Sequence, residues 1–231
     1  MVLLAIDTST STGSVALWGQ DSLLGLLTVS VDLAHSEGLM PAVDALLCQT
    51  GRTVADLTAV ASVSGPGSYT GLRIGIATAQ GLAMARGLRC VAVPALEMLA
   101  HAFPFTSYVL CPLMPARKDW VYTRLFRWDA GCLKPLTDEL NVQPDALVGY
   151  IQEPTLFFGP ALDLYQPMLH AILEDQFVGA PAVYNYPRAD ILAALAMREL
   201  AADRDCDPAL LLPHYLGPSQ AELNWAQKRK G

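Results

Sequence analysis

Apolar positions in the first hundred residues fall into short continuous runs alternating with helically spaced ones. Val2-Leu3-Leu4-Ala5-Ile6 is an unbroken apolar run ending at Asp7, and residues 8–12 form a turn rich in hydroxyls. Residues 14–18 and 23–31 also read as strands, so the N-terminus predicts a three-stranded antiparallel meander. Leu39, Met40, Val43, Leu46 and Leu47 recur at helical spacing, with Ser36 as a cap and Gly51 as a stop. Pro41 fits that helix only in its first turn, where the missing N–H costs nothing. A strand over 57–63 follows, parallel to the first because a helix precedes it. A glycine-rich turn then opens a helix over about 70–85, stopped by Gly87. A strand over 90–93 and a helical run from Pro94 to about 101 complete the order β-β-β-α-β-α-β-α.

The second half repeats the alternation with weaker signals. Residues 108–114 and 120–128 read as a strand pair, 155–158 as a buried strand closed by Gly159-Pro160, and 190–202 as an alanine-rich helix. Pro104 and Phe105 mark the junction. The expected division is a first lobe over residues 1–103 and a smaller one over 104–231, whose late helix returns between the lobes. Eleven of the 17 glycines fall at or before Gly87. Phosphate-cradling turns need glycine for positive φ and close backbone approach. The second half therefore lacks the dense glycine turns that would close a nucleotide site from the other side.

The densest motif is Ser64-Gly65-Pro66-Gly67-Ser68-Tyr69-Thr70-Gly71-Leu72-Arg73-Ile74-Gly75, continuing to Ala83. Gly71, Gly75, Ala79 and Ala83 lie one helical turn apart and make a nearly flat stripe. A flat stripe admits a close neighbour, either another polypeptide or the chain's own sheet. Taken with the Leu39, Val43 and Leu46 helix beside it, the stripe and Thr78 are the expected interface with a partner.

Composition sharpens this reading. The chain is 52% hydrophobic and only 16% charged, below the usual quarter. Surface must therefore be hidden in a core or against a partner. With 22 acidic residues against 15 Lys plus Arg, the net charge is -7, which disfavours holding nucleic acid alone. The basic residues 228–230 read as a solvated terminus. Five widely spaced cysteines form no C-x-x-C, so neither a zinc ribbon nor a redox pair is suggested. They read as reduced, mostly buried thiols of a cytoplasmic protein. No basic leader with a cleavage site opens the chain, and no apolar stretch approaches a membrane span.

Candidate chemistry is sparse. Gly65, Gly67 and Gly71 give G-x-G-x-x-x-G, not the dinucleotide spacing, and no Walker lysine follows. The turn either seats an anion at the helix start or simply makes a tight strand-to-helix corner. Asp7 followed by Thr8 can hold a hydrated Mg²⁺ and phosphate, or close an Asx turn on its own backbone. Asp7, Thr8, Gly65 and Gly67 are the only nucleotide-contact candidates. His35, His101, His170 and His214 form no i, i+3 or i+4 pair, and there is no G-x-S-x-G elbow. No catalytic or metal-ligating residue is assigned.

These pieces together resemble the TsaB (YeaZ) family. The carriers are Leu3-Leu4-Ala5-Ile6-Asp7-Thr8-Ser9-Thr10, then His35-Ser36-Glu37 before a helix, then the glycine motif. Ala116-Arg117-Lys118-Asp119-Trp120-Val121-Tyr122 and Pro213-His214-Tyr215-Leu216 fit more loosely. The resemblance implies an actin-like, two-lobed α/β fold of the sugar-kinase/Hsp70 type, each lobe a mixed sheet flanked by helices. It implies a non-catalytic scaffold in making N6-threonylcarbamoyladenosine in tRNA. The implied partners are the catalytic paralogue TsaD and the ATPase TsaE, with a homodimer when alone and tRNA met only through the complex. No intrinsic cofactor is implied, beyond room for weak ATP or ADP binding shared with partners. TsaD-like proteins carry His-x-x-x-His; here His35 is followed four residues later by Leu39. Pro115 and Gly217 depart from the family pattern, so no site is carried onto Arg117 or Gly217. The alternatives are an ATP-dependent phosphotransferase using Asp7 and the glycine loop, and a metallopeptidase.

Overall fold

All five residues of β1 (Leu3–Asp7) are buried, because helices cover both faces of its sheet. The structure is a computed structural model that describes residues 1–30 and 35–217. Val31, the side chains of His35 and Ser36 (hence the Ser36 cap) and residues 228–230 lie outside what is described. β2 (Thr12–Trp18) and β3 (Leu23–Ser30) extend β1 as the expected antiparallel meander. α1 (His35–Gln49) leads to β4 (Ala59–Gly65), and α2 (Tyr69–Arg86) leads to β5 (Arg89–Pro94). β4 and β5 run parallel to β1, giving the order β3-β2-β1-β4-β5. Leu4, Ile6, Val15 and Leu17 face α1 and α2; Leu3, Ala5 and Ala16 face the opposite layer, which begins with α3 (Ala95–Ala100). The two sets alternate along each strand, as the period of two demands.

The second half builds β6 (Val109–Pro112), β7 (Met114–Pro115), β8 (Val121–Thr123), β9 (Phe126–Asp129), β10 (Cys132–Pro135), β11 (Leu140–Val142), β12 (Thr155–Phe158), α4 (Leu162–Leu173) and β13 (Phe177–Gly179). Its main sheet has the order β10-β9-β6-β12-β13. β9 is antiparallel to β6 and to β10, while β12 is parallel to β6 and β13. That repeats the first sheet strand for strand, in order and direction, with α4 in the place of α2. The architecture is the two-lobed actin-like α/β fold expected from the sequence. A final helix, α5 (Ala189–Ala201), lies with α3 on the first sheet, and the Ala189 N–H donates to Ser14 Oγ at 3.0 Å.

Several expectations are corrected. Pro41 stands in the second turn of α1, not the first. It is tolerated there because Pro41 and Glu37, whose carbonyl loses its helical donor, both face solvent. The strand read over 120–128 is two strands in two sheets. β8 belongs to a small sheet of order β11-β8-β7. The break comes at Arg124 and Leu125, where Thr137 accepts from Arg124 Nε at 2.9 Å and from Leu125 N at 3.1 Å. α4 is a helix the sequence reading does not include; Pro167 sits inside it on the exposed side. Of the five cysteines only Cys90 and Cys111 are buried, while Cys48 and Cys132 are exposed and Cys206 is intermediate.

Candidate functional site

The parallel strands β1 and β4 end side by side, so the hydroxyl turn after Asp7 and the glycine turn after Gly65 meet at one edge. Crevices beyond the carboxyl ends of parallel strands are where α/β folds place ligands. Here the two turns are bonded to each other and to themselves. Ser9 N donates to Asp7 Oδ1 at 2.8 Å, an Asx turn. Thr12 N donates to Thr10 Oγ1 at 3.1 Å, and Thr10 Oγ1 donates to the Thr12 carbonyl at 3.0 Å. Thr8 Oγ1 donates to the Gly71 carbonyl at 2.7 Å, and Ser68 N donates to the Ser9 carbonyl at 2.7 Å. Ser68 also caps α2, accepting from Gly71 N at 3.2 Å. Asp7, Thr8, Ser9 and Thr10 are all buried. Ser9 Oγ is buried without a hydrogen-bond partner among the described residues.

The small-residue stripe needs correcting. Gly71, Gly75, Ala79 and Ala83 are buried against the chain's own sheet. A Cβ on Gly71 would collide with the Thr8 carbonyl, and one on Gly75 with Thr8 Oγ1. Glycine is there so that α2 can lie directly on the turn after β1. Leu39, Val43 and Leu46, at 6%, 1% and 4% exposure, belong to the same core beneath α1 and α2. Thr78 is half-buried, its hydroxyl returned to the Ile74 carbonyl at 2.8 Å. None of the seven buried residues presents surface to a partner. The open surface of these helices is the reverse side: Met40, Asp44, Ala45 and Cys48 on α1, and Ala77, Gly81, Met84 and Ala85 on α2. Met84 is 69% exposed, and a Cβ at Gly81 would meet open space.

The corresponding place in the second lobe is apolar. Where β1 runs into Thr8-Ser9-Thr10, β6 runs into Leu113-Met114, both essentially fully buried. Leu113 N donates to the Phe158 carbonyl at 2.7 Å, and the Leu113 carbonyl accepts from Ala161 N at 3.0 Å. Ala161 N, just ahead of α4, is thereby engaged. Gly159 N donates to Asn185 Oδ1 at 3.1 Å, and Asn185 Nδ2 donates to Asp163 Oδ1 at 2.8 Å. Sequence reasoning missed Asn185. Its only signal was a polar residue in an otherwise apolar and proline-rich stretch.

Other reactive groups are muted. Burial pushes the Cys90 and Cys111 thiols up to about 12, so both stay protonated. Burial also raises Tyr122 and Cys206. The Arg117 guanidinium carbon lies 3.9 Å from the centre of the Trp120 ring. Among the described residues no group of three or more His, Cys, Asp and Glu is placed to hold a metal ion, and no helix is long and apolar enough to cross a membrane.

A family model described as TsaD, tRNA N6-adenosine threonylcarbamoyltransferase, matches residues 29–225. The tRNA threonylcarbamoyladenosine biosynthesis protein TsaB of Bacillus subtilis is 34% identical over 234 residues, covering 100% of both chains. The chain belongs to the TsaB family. The Escherichia coli TsaB is 40% identical over 104 residues, 44% of this chain and 43% of that one. The solved structure of YeaZ from Pseudomonas aeruginosa superposes with a TM-score of 0.78 at 29% identity, covering 93% of this chain and 99% of that one. The TsaD match puts the TsaB family and a threonylcarbamoyltransferase within one wider family, so shared ancestry alone does not settle which member performs chemistry.

Proposed function

We propose that this chain serves tRNA threonylcarbamoyladenosine formation as a scaffold for TsaD and not as the catalyst. The observation that carries this reading is the contrast at the strand ends. An actin-like phosphotransferase needs polar phosphate loops from both lobes, and here the second lobe offers Leu113 and Met114 where the first offers Thr8, Ser9 and Thr10. In the first-lobe turn Thr8 Oγ1, Ser9 N, Thr10 Oγ1 and Thr12 N all donate within the chain itself. The binding face is the solvent side of α1 and α2, where small and apolar residues (Ala45, Ala77, Gly81, Met84, Met40) allow two helices of a partner to approach closely. TsaE joins through that complex, tRNA is met there, and a homodimer uses the same face when TsaD is absent.

The test is co-purification with TsaD of chains carrying Gly81→Glu or Met84→Glu, alongside nucleoside analysis of tRNA from a depletion strain. Loss of TsaD together with loss of the modified nucleoside supports the reading; normal capture of TsaD by both variants refutes it. One observation favours a second reading, an ATP-dependent phosphotransferase: Ser9 Oγ, beside the N-terminus of α2, is buried with no hydrogen-bond partner among the described residues. Calorimetry with Mg-ATP and a turnover assay on the isolated chain separate the two.

A further inference from the structure

Residues 208–217 leave α5 without strand or long helix, and several of their side chains face solvent: Leu210 is 69% and Leu212 65% exposed. Their placement is nonetheless fixed by groups more than a hundred residues away in sequence. Gln80 Nε2 donates to the carbonyls of Pro208 at 3.0 Å and Leu211 at 3.1 Å. Leu211 itself is buried in the core beneath α2. His214 N donates to the Ser64 carbonyl at 2.7 Å. The Tyr215 ring stacks on Tyr69 at 4.8 Å, and its hydroxyl accepts from Arg73 Nε at 2.8 Å. All of these partners are in the first lobe.

The same few residues also hold the second lobe. His214 Nε2 lies 2.5 Å from Glu139 Oε2, and Gly217 sits against the Asn141 side-chain amide and the Tyr122 hydroxyl. We propose that residues 211–217 are a latch that fastens the two lobes across the mouth of the glycine turn. Gly65 is shaped for it: its φ is +126°, and a Cβ there would collide with the His214 carbonyl. A backbone approach that close is built for one particular neighbour.

The latch closes a junction whose opposite side is sealed differently. Beneath α3 and α5 the lobes share one apolar core, in which Val93, Leu96 and Leu192 meet Leu110, Phe126 and Phe158. Beyond the one buried anchor, Leu211, the latch side has instead single hydrogen bonds, one ring stack and the half-exposed His214–Glu139 contact. Few buried apolar contacts and exposed polar ones mark the part of a protein that opens first. The latch therefore sets how far the cleft opens at the start of α2, and it is the element whose release lets the lobes part there. This inference is independent of the scaffold reading, since it concerns distances within the isolated chain.

Two exposed native cysteines supply the probes: Cys48 on α1 in the first lobe and Cys132 on β10 in the second. With Cys206→Ser as background, and the labelled chain diluted into excess unlabelled chain so that only pairs within one chain are read, spin labels on these two positions report the inter-lobe distance. The unmodified latch gives one narrow distance distribution. His214→Ala/Tyr215→Ala in the full-length chain broadens or shifts it. An unchanged distribution in the doubly substituted chain overturns the proposal. A second variant reaches the latch from the other lobe. Glu139→Ala makes the His214 amide exchange with solvent about tenfold faster while the amides of β1 are unaffected. Unaltered His214 exchange in Glu139→Ala likewise counts against a latch.

Discussion

The two lobes share a strand order and differ at one corner. In the first, a turn of hydroxyl residues follows the central strand, and a helix with Gly71 and Gly75 on its inner face lies directly on it. In the second, Leu113 and Met114 follow the central strand, and the corner is closed by one side chain, Asn185, reaching from 26 residues beyond Gly159. The frame survives both solutions, because it depends on alternating burial along strands and on helix crossovers. The loops at that corner differ, and in such folds it is the loops that carry chemistry. One corner is polar and the other apolar.

The largest expected effect is on the first corner. Gly71→Leu or Gly75→Leu drives a side chain into Thr8 and costs about 3 kcal/mol of folding stability by urea titration of the isolated chain. Had the stripe faced a partner, stability would be unchanged and only association would suffer. In the second lobe Asn185→Ala leaves Gly159 N without its acceptor in a buried site and costs about 2 kcal/mol in the same titration. A null result there would mean that the two corners are not alternative ways of closing the same junction.

A subtler contrast comes from the thiol beneath the second sheet. Cys111 is held neutral by burial with its folded value near 12, against 9.0 for an ordinary thiol. The unfolded chain ionises at the lower pH and the folded chain does not. The contribution is therefore whole below pH 9 and is lost as pH rises from there toward 12, by about 1.4 kcal/mol per pH unit. Cys111→Ala should make that part of the stability profile shallower, with Cys90 still contributing its share; an unchanged slope would contradict the assignment. Smallest of all is Met84→Glu, which lies on open surface and should move the stability of the isolated chain by no more than about 0.5 kcal/mol.

The first lobe was largely legible in the sequence. β1, β2, β4, β5 and α2 each carry four or more residues of clear pattern, and Gly65 and Gly87 punctuate them. The second lobe was not, because its strands are mostly three or four residues long and Pro167 stands inside the one helix that completes the repeat. The candidate site was half legible. Asp7, Thr8, Gly65 and Gly67 do converge, since they end neighbouring strands. Which way the stripe faces could not be read, because a run of small residues looks the same whether a sheet or another chain lies on it. The segment around His214 and Tyr215 has no periodicity of its own. Its partners Ser64, Arg73 and Glu139 are far off along the chain, so only its loose family likeness singled it out.

The account turns on where this protein's contribution to tRNA modification resides: on the outer face of α1 and α2 or in the Asp7 corner. Threonylcarbamoyladenosine measured in tRNA from a depletion strain decides between them when that strain is supplied with either Asp7→Asn or Gly81→Glu/Met84→Glu. Asp7→Asn keeps the acceptor for Ser9 N but removes the charge that phosphate and metal chemistry would need. Full modification with Asp7→Asn and none with the surface pair is the predicted result; modification lost with Asp7→Asn and retained with the surface pair would contradict it.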